Sequence, residues 1–191
     1  MNGTTNYILT KMIKDNISFE QALKQAQELG YAERNPDADI KGYDTCRKIC
    51  ILSCLAYEED IDPDNISVKG IEELTLEDVK KADEKGYVIK LIGYSRKNDE
   101  DKIEIFVSPC AIKKTNPLAN VNDVYNAILI KGDMVGNVIF YGKGAGKFPT
   151  ASAVCSDIIE CVNMKTDREI ILREDRTFIE KPELQILEGT N

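Results

Sequence analysis

Apolar residues recur at helical spacing from Asn6 to Ile13, and Ser18 with Gln21 has the form of a capping box opening a helix that runs to Leu29. Gly30 suits the left-handed position that closes such a helix. A polar run from Glu33 to Gly42 precedes a second helix predicted over Tyr43 to Tyr57, with Ile49, Leu52 and Leu55 or Ala56 on its core face. The acidic stretch Glu58 to Asn65 ends it. Thr75 and Asp78 repeat the capping signature ahead of a helix through Lys85, closed by Gly86.

The pattern then changes to strands. Val88 to Tyr94 and Ile103 to Val107 are β-rich runs joined by the charged turn Arg96 to Asp101. Ala127 to Lys131 and Asn137 to Tyr141 form a second pair around Gly132 to Gly136. Helical spacing returns from Thr150 to Val162, and from Glu169 onward a strand and a tail are expected. This order lacks the strand–helix alternation of a doubly wound sheet, so the expected fold class is α+β, with a largely antiparallel mixed sheet and helices packed on one face. The expected division is a main domain over 1–165 and a C-terminal strand or tail over 166–191.

Composition narrows the function. The 191 residues suit one well-cored unit, and 42% hydrophobic with 30% charged residues is ordinary for a soluble globular chain. A net charge of -8 disfavours nucleic acid and anionic membrane as partners. The longest apolar stretches, such as Ile49 to Ala56, fall short of the roughly 20 residues a membrane span needs, and no signal-peptide shape opens the chain. A cytoplasmic location is expected. The six cysteines include no C-x-x-C pair. Cys46, Cys50 and Cys54 repeat every fourth position, which reads first as a buried helix face and only secondarily as metal binding, and no metal site is expected. With no histidine in the chain, proton transfer falls to Lys, Asp, Glu, Tyr or Cys.

The densest polar constellation runs from Gly30 to Lys48 and contains Tyr31, Glu33, Asp37, Asp39, Lys41 and Asp44. Pro36 and Gly42 punctuate it, so Glu33 to Lys41 should be an ordered loop leading into a helix. Asp44 and Lys48 then share one helix face. Two readings stand. Such a loop can be a solvated surface carrying an ordinary ion pair. It can equally form a pocket in which carboxylates hold a cationic amino group and Lys48 meets a polarised oxygen, which suits an amino-acid substrate.

Three motifs carry a resemblance. N-G-T-T-N-Y-I-L-T at Asn2 to Thr10, G-Y-A-E-x-x-P-x-x-D-x-x-G-x-D-x-x-x-K at Gly30 to Lys48, and G-x-G-A-G-x-x-P-T-A at Gly142 to Ala151 resemble, in order and spacing, those of homoserine dehydrogenases. The resemblance implies a catalytic and dimerisation domain for NAD(P)-dependent interconversion of L-aspartate 4-semialdehyde and L-homoserine, in threonine and methionine biosynthesis. It implies Lys48 and Asp44 as catalytic residues, and partial burial of Lys48 would favour return of the proton in the reverse reaction. It further implies Glu33, Asp39, Tyr31, Thr4 and Asn6 at the substrate, and Gly142, Gly144, Ala145 and Gly146 at the cofactor. Asn35 stands where many relatives carry aspartate.

Read without the resemblance, Thr4, Thr5 and Asn6 equally serve as helix caps, and the glycine segment as a plain turn with Thr150 capping the next helix. The G-x-G-A-G run is not followed by a βαβ unit and is no dinucleotide fingerprint. The resemblance implies that most cofactor contacts come from a nucleotide-binding domain not expected within this sequence, which would leave the isolated chain nearly inactive. A homodimer is implied. The competing expectation is a non-catalytic binding and dimerisation module.

Overall fold

A computed structural model describes residues 1–144 and 146–163, together with the backbone of 185–187. Helix α1 spans Gly3–Lys14 and α2 spans Phe19–Glu28, the latter opened by the Ser18/Gln21 capping box. Gly30 follows with φ 73, as anticipated. A single turn of helix, α3 (Asp37–Ile40), occurs within the stretch read as a loop, and α4 covers Tyr43–Tyr57. After the short strand β1 (Ser67–Val68), α5 (Leu76–Glu84) starts from the Thr75/Asp78 capping box. Strands β2 (Tyr87–Lys97) and β3 (Ile103–Lys113), then β4 (Tyr125–Gly132) and β5 (Gly136–Lys143), form two hairpins. Helix α6 (Lys147–Asn163) and strand β6 (Gln185–Leu187) complete the described elements.

The α+β class with a largely antiparallel mixed sheet holds. β2 and β3 pair antiparallel along their whole length, from Tyr87↔Lys113 to Lys97↔Ile103. β1 and β6 add parallel to β3, at Phe106–Val107 and Cys110–Ile112 respectively. Alternation sends Ile89, Leu91, Ile105 and Val107 into the main core beneath the helices, while Cys110 and Ile112 join a smaller cluster with Ala119. Ile8, Met12, Ile71, Ile89 and Val107 are all at most 1% exposed and anchor the body. Burying one such side chain stabilises by about 1.5–3 kcal/mol.

Several sequence expectations need correction. Helix α1 begins before Asn6 because Asn2 caps it, its Oδ1 accepting from the Thr5 amide at 2.9 Å. Leu55 is 74% exposed, and Ala56 is also exposed. Ile49 is buried as expected, and the rest of the buried face of α4 is made of small side chains, Thr45, Cys46, Cys50 and Ser53. At Gly93 a Cβ would come within 3.1 Å of both Ile49 and Thr45, so helix and sheet approach closely and bulky side chains are excluded there. The buried-face reading of the cysteines therefore holds for Cys46 and Cys50, whose thiol pKa values burial pushes upward, that of Cys50 to about 12. All six cysteines are free. Thr150 is not a cap but lies inside α6, which starts at Lys147 and takes Pro149 in its first turn. The strand expected from Glu169 onward lies outside the described residues except for 185–187.

Candidate active site

The loop after α2 is ordered by its neighbours. The amides of Tyr31 and Ala32 both donate to the Ala26 carbonyl, at 2.8 and 3.1 Å, and Ala32 is buried. Thr4 Oγ1 donates to the Tyr31 carbonyl at 2.7 Å, tying the loop to α1, and the rings of Tyr7 and Tyr31 meet at 5.1 Å. Further along, Ile40 is buried and its carbonyl accepts from the Ile71 amide at 2.7 Å. Gly70 makes that approach feasible, since a Cβ there would lie 2.2 Å from the Ile40 carbonyl oxygen. Asp39, one residue before Ile40, is thereby held in place.

Asn2 is the centre of the resulting cluster. Only 6% exposed, it caps α1 with its Oδ1 while its Nδ2 donates to Asp39 Oδ1 at 2.6 Å and to Asp44 Oδ2 at 2.8 Å. One amide thus draws together two carboxylates from different elements. Asp44 lies in the first turn of α4, where the helix dipole favours negative charge. Lys48, one turn on, donates to Asp44 Oδ2 at 2.7 Å and to the Met1 carbonyl at 3.4 Å. The Lys48 side chain is 48% exposed, so about half of it is buried. The Asp44–Lys48 pair contributes at most about 1 kcal/mol to stability, so its interest is chemical.

Other expected residues are more dispersed. Glu33 is exposed, and its carboxylate makes no hydrogen bond or ion pair among the described residues. Tyr31 is 44% exposed. Asn6 points elsewhere: its Nδ2 donates to the carbonyls of Asp123 and Tyr125, both at 3.0 Å, and its Oδ1 accepts from Lys90. Asp37 pairs with Lys41 at 2.8 Å, apart from the Asn2 cluster. Asn2 was not among the residues expected from sequence at the site. Its signal was its place at the head of the first motif, immediately before a helix.

Gly142 and Gly144 lie at the end of β5 and just after it, Gly146 precedes α6, and Ala145 lies outside the described residues. A Cβ on Gly144 would come within 2.9 Å of Asn126 Nδ2, and one on Gly3 within 3.7 Å of the same atom. Asn126 therefore brings the glycine segment to the start of α1. Its Oδ1 is buried without a hydrogen-bond partner among the described residues, and a Cβ on Gly142 would meet nothing within 4 Å. The backbone at Gly142 is open to the close approach of a ligand.

Solved dehydrogenase structures share this fold. The S. aureus homoserine dehydrogenase at pH 7.5 superposes with a TM-score of 0.79 at 45% identity, covering 84% of this chain and 40% of that one. A hyperthermophilic archaeal homoserine dehydrogenase mutant in complex with NADPH gives a TM-score of 0.69 at 32% identity, covering 87% and 47%. The Helicobacter pylori homoserine dehydrogenase is 46% identical over 186 residues, 97% of this chain and 44% of the relative. The Bacillus subtilis enzyme is 44% identical over 159 residues, 83% and 36% respectively. The family model described as homoserine dehydrogenase matches residues 1–159, and the chain belongs to that family. It spans less than half the length of these relatives.

Proposed function

We propose that the chain forms the substrate-binding and catalytic part of an NAD(P)-dependent homoserine dehydrogenase, interconverting L-aspartate 4-semialdehyde and L-homoserine for threonine and methionine biosynthesis. The observation that carries this reading is the Asn2-centred cluster, which sets Asp39, Asp44 and the half-exposed Lys48 together at one helix start. An ammonium aimed by a carboxylate and open to solvent on its other side can serve a carbonyl oxygen.

The nicotinamide cofactor, when bound, exchanges hydride with the aldehyde carbon. Lys48 Nζ donates a proton to the aldehyde oxygen as that bond is reduced, and takes it back from the hydroxyl in the reverse direction. Asp44 aims Lys48 through the 2.7 Å contact. The unpaired carboxylate of Glu33 holds the substrate ammonium, with Asp39 at its other polar groups and Tyr31 and Thr4 shaping the wall. Asn6, its amide engaged internally, supports this pocket instead of lining it. Gly142, Gly144, Ala145 and Gly146 form the cofactor-facing edge, and a nucleotide-binding domain supplies the remaining contacts.

A homodimer joined through the β4–β5 hairpin belongs to the same reading, as does a division into a catalytic domain over 1–165 and a tail over 166–191. No helix among the described residues is long and apolar enough to cross a membrane, which is compatible with a cytoplasmic enzyme. The test joins the chain to a nucleotide-binding half from a relative and follows NADPH or NADH oxidation with aspartate semialdehyde. Turnover is expected, with Lys48→Ala lowering it by about 100-fold or more. A folded fusion without turnover would sink the enzyme reading. Calorimetry with L-homoserine checks the pocket separately, with binding expected to weaken in Glu33→Gln.

A further inference from the structure

The chain leaves the helical body at Val121 to Tyr125, and side chains from two other elements hold that turn. Asp123 has left-handed backbone at φ 56, a conformation that a non-glycine residue keeps only when its surroundings hold it there. Its amide donates to Thr10 Oγ1 at 3.1 Å, and its carbonyl accepts from Asn6 Nδ2 at 3.0 Å. Lys90 reaches the same turn from β2. Its ammonium donates to the Val121 carbonyl at 2.5 Å, to Asn6 Oδ1 at 2.8 Å and to Asn122 Oδ1 at 3.4 Å. A lysine ammonium has three N–H bonds, and these acceptors accommodate all of them.

Lys90 is only 5% exposed. It forms no ion pair among the described residues, and the nearest charges are Lys14 and Asp123, which pair with each other at 3.6 Å. Burial first, then Lys14, pulls its pKa down to about 8, against a smaller opposing pull from Asp123. A buried ammonium without a counter-charge is costlier than an apolar side chain of the same shape. Every bond that offsets this cost goes to the turn or to Asn6, which itself holds the turn. Just beyond the turn, Asn126 brings Gly144 to the start of α1, beside Asn2.

We propose that Lys90, with Asn6 and Thr10, is a positioning clamp that fixes the arm of β4, β5 and α6 so that its glycine segment stands against the Asn2 end of α1. The bearing of this clamp on catalysis rests on the enzyme reading above, whereas the clamp itself does not. In that reading, Lys90 never touches substrate. It sets the separation between the cofactor-facing edge and the proton-transferring cluster.

Hydrogen–deuterium exchange on the chain tests the clamp without requiring turnover. In Lys90→Met and in Asn6→Ala, amides from Val121 to Gly132 should exchange on the order of tenfold faster, as expected for loss of a charge-assisted hydrogen bond, while those from Ile105 to Ile112 stay at wild-type rates. The double variant should lose no more protection than the more affected single one, because both side chains act on one turn. Wild-type protection of the turn in folded Lys90→Met, or losses that multiply in the double variant, would overturn the proposal. Thr10→Val is nearly isosteric and covers the case in which Lys90→Met does not fold. It must speed exchange at Asp123 and along β4, and unchanged protection there would equally overturn the clamp. If the fused enzyme shows no turnover in any variant, the enzyme reading falls while the exchange result still decides the clamp.

Discussion

The helical body and the β4–β5–α6 arm treat their apolar side chains in opposite ways. In the body, Tyr7, Ile8, Leu9 and Met12 from α1 meet Ile89, Leu91, Ile105 and Val107 of the sheet, each less than 9% exposed. In the arm, Ile130, Phe140 and Tyr141 on the hairpin are 49%, 59% and 58% exposed, and Phe148, Ile158, Ile159 and Val162 on α6 range from 58% to 80%. No residue of α6 is buried among the described residues. The body is stabilised from within. The arm is attached mainly by polar contacts at its root, and the described residues leave its apolar surface open. The Asn2 cluster lies where the two regimes meet, its acids and lysine supplied by the body and its glycine edge by the arm.

The strongest attack on this contrast is made in the body. Ile8→Ala removes a fully buried side chain and is expected to cost about 2–5 kcal/mol of unfolding free energy, measured by urea denaturation. A loss below about 1 kcal/mol would mean that α1 is not part of the load carried by the core.

Next comes the buried charge at the junction. The folded-state pKa of Lys90 lies at about 8, below its ordinary value of 10.5. Between those values the unfolded chain holds more protons than the folded one, so this group makes stability rise with pH across that window. Below about 8 both states are protonated and the full cost of burying the ammonium is felt. The swing is bounded at about 3 kcal/mol. Subtracting the pH profile of Lys90→Met from that of wild type, between about pH 7 and pH 10, isolates it, because the other titrating groups are common to both proteins, and the difference should shift in favour of wild type as pH rises. Parallel pH profiles for the two proteins would refute the assignment.

Much of the body was legible because its signals are local. The capping boxes at Ser18 and Thr75 fix helix starts through hydrogen bonds within one turn, and both hairpins follow from alternation on either side of polar turns. Strand β1 was not foreseen because two residues carry no period, and of the strand expected from Glu169 onward only β6 lies among the described residues. The core face of α4 was misjudged at Leu55 because helical spacing alone cannot reveal that Gly93 draws the sheet close and favours cysteine, serine and threonine. The motif from Gly30 to Lys48 correctly brought Asp39, Asp44 and Lys48 into one region. It could not reveal that Asn2 joins the acids, since that contact depends on how α1 docks against α4. Lys90 left a faint trace, a lone charge in the apolar run Val88 to Ile92, whose meaning required knowing that the turn at Asp123 folds over it.

A smaller effect is expected at the cluster itself. Asn2→Ala removes the α1 cap and leaves Asp39 and Asp44 without their shared donor, for a loss of about 1 kcal/mol. Asn2→Asp keeps a capping oxygen but sets a third carboxylate against the other two, so it should be the less stable of the pair near neutral pH and recover on acidification. Equal stability of both variants at all pH values would show that the two aspartates do not converge on this side chain.

The smallest effect belongs to the arm, where it is also the most discriminating. Ile158→Ser replaces an apolar side chain that is 58% exposed, so chain stability should change by less than about 0.5 kcal/mol in dilute solution. A loss like that of Ile8→Ala would mean that α6 has a core of its own. Phe140→Ser, at 59% exposure on the hairpin, should be similarly neutral for folding. In the proposed dimer it should nonetheless weaken association, seen by sedimentation as a shift of the monomer–dimer transition to higher concentration. Unchanged association would show that the hairpin does not carry the proposed dimer.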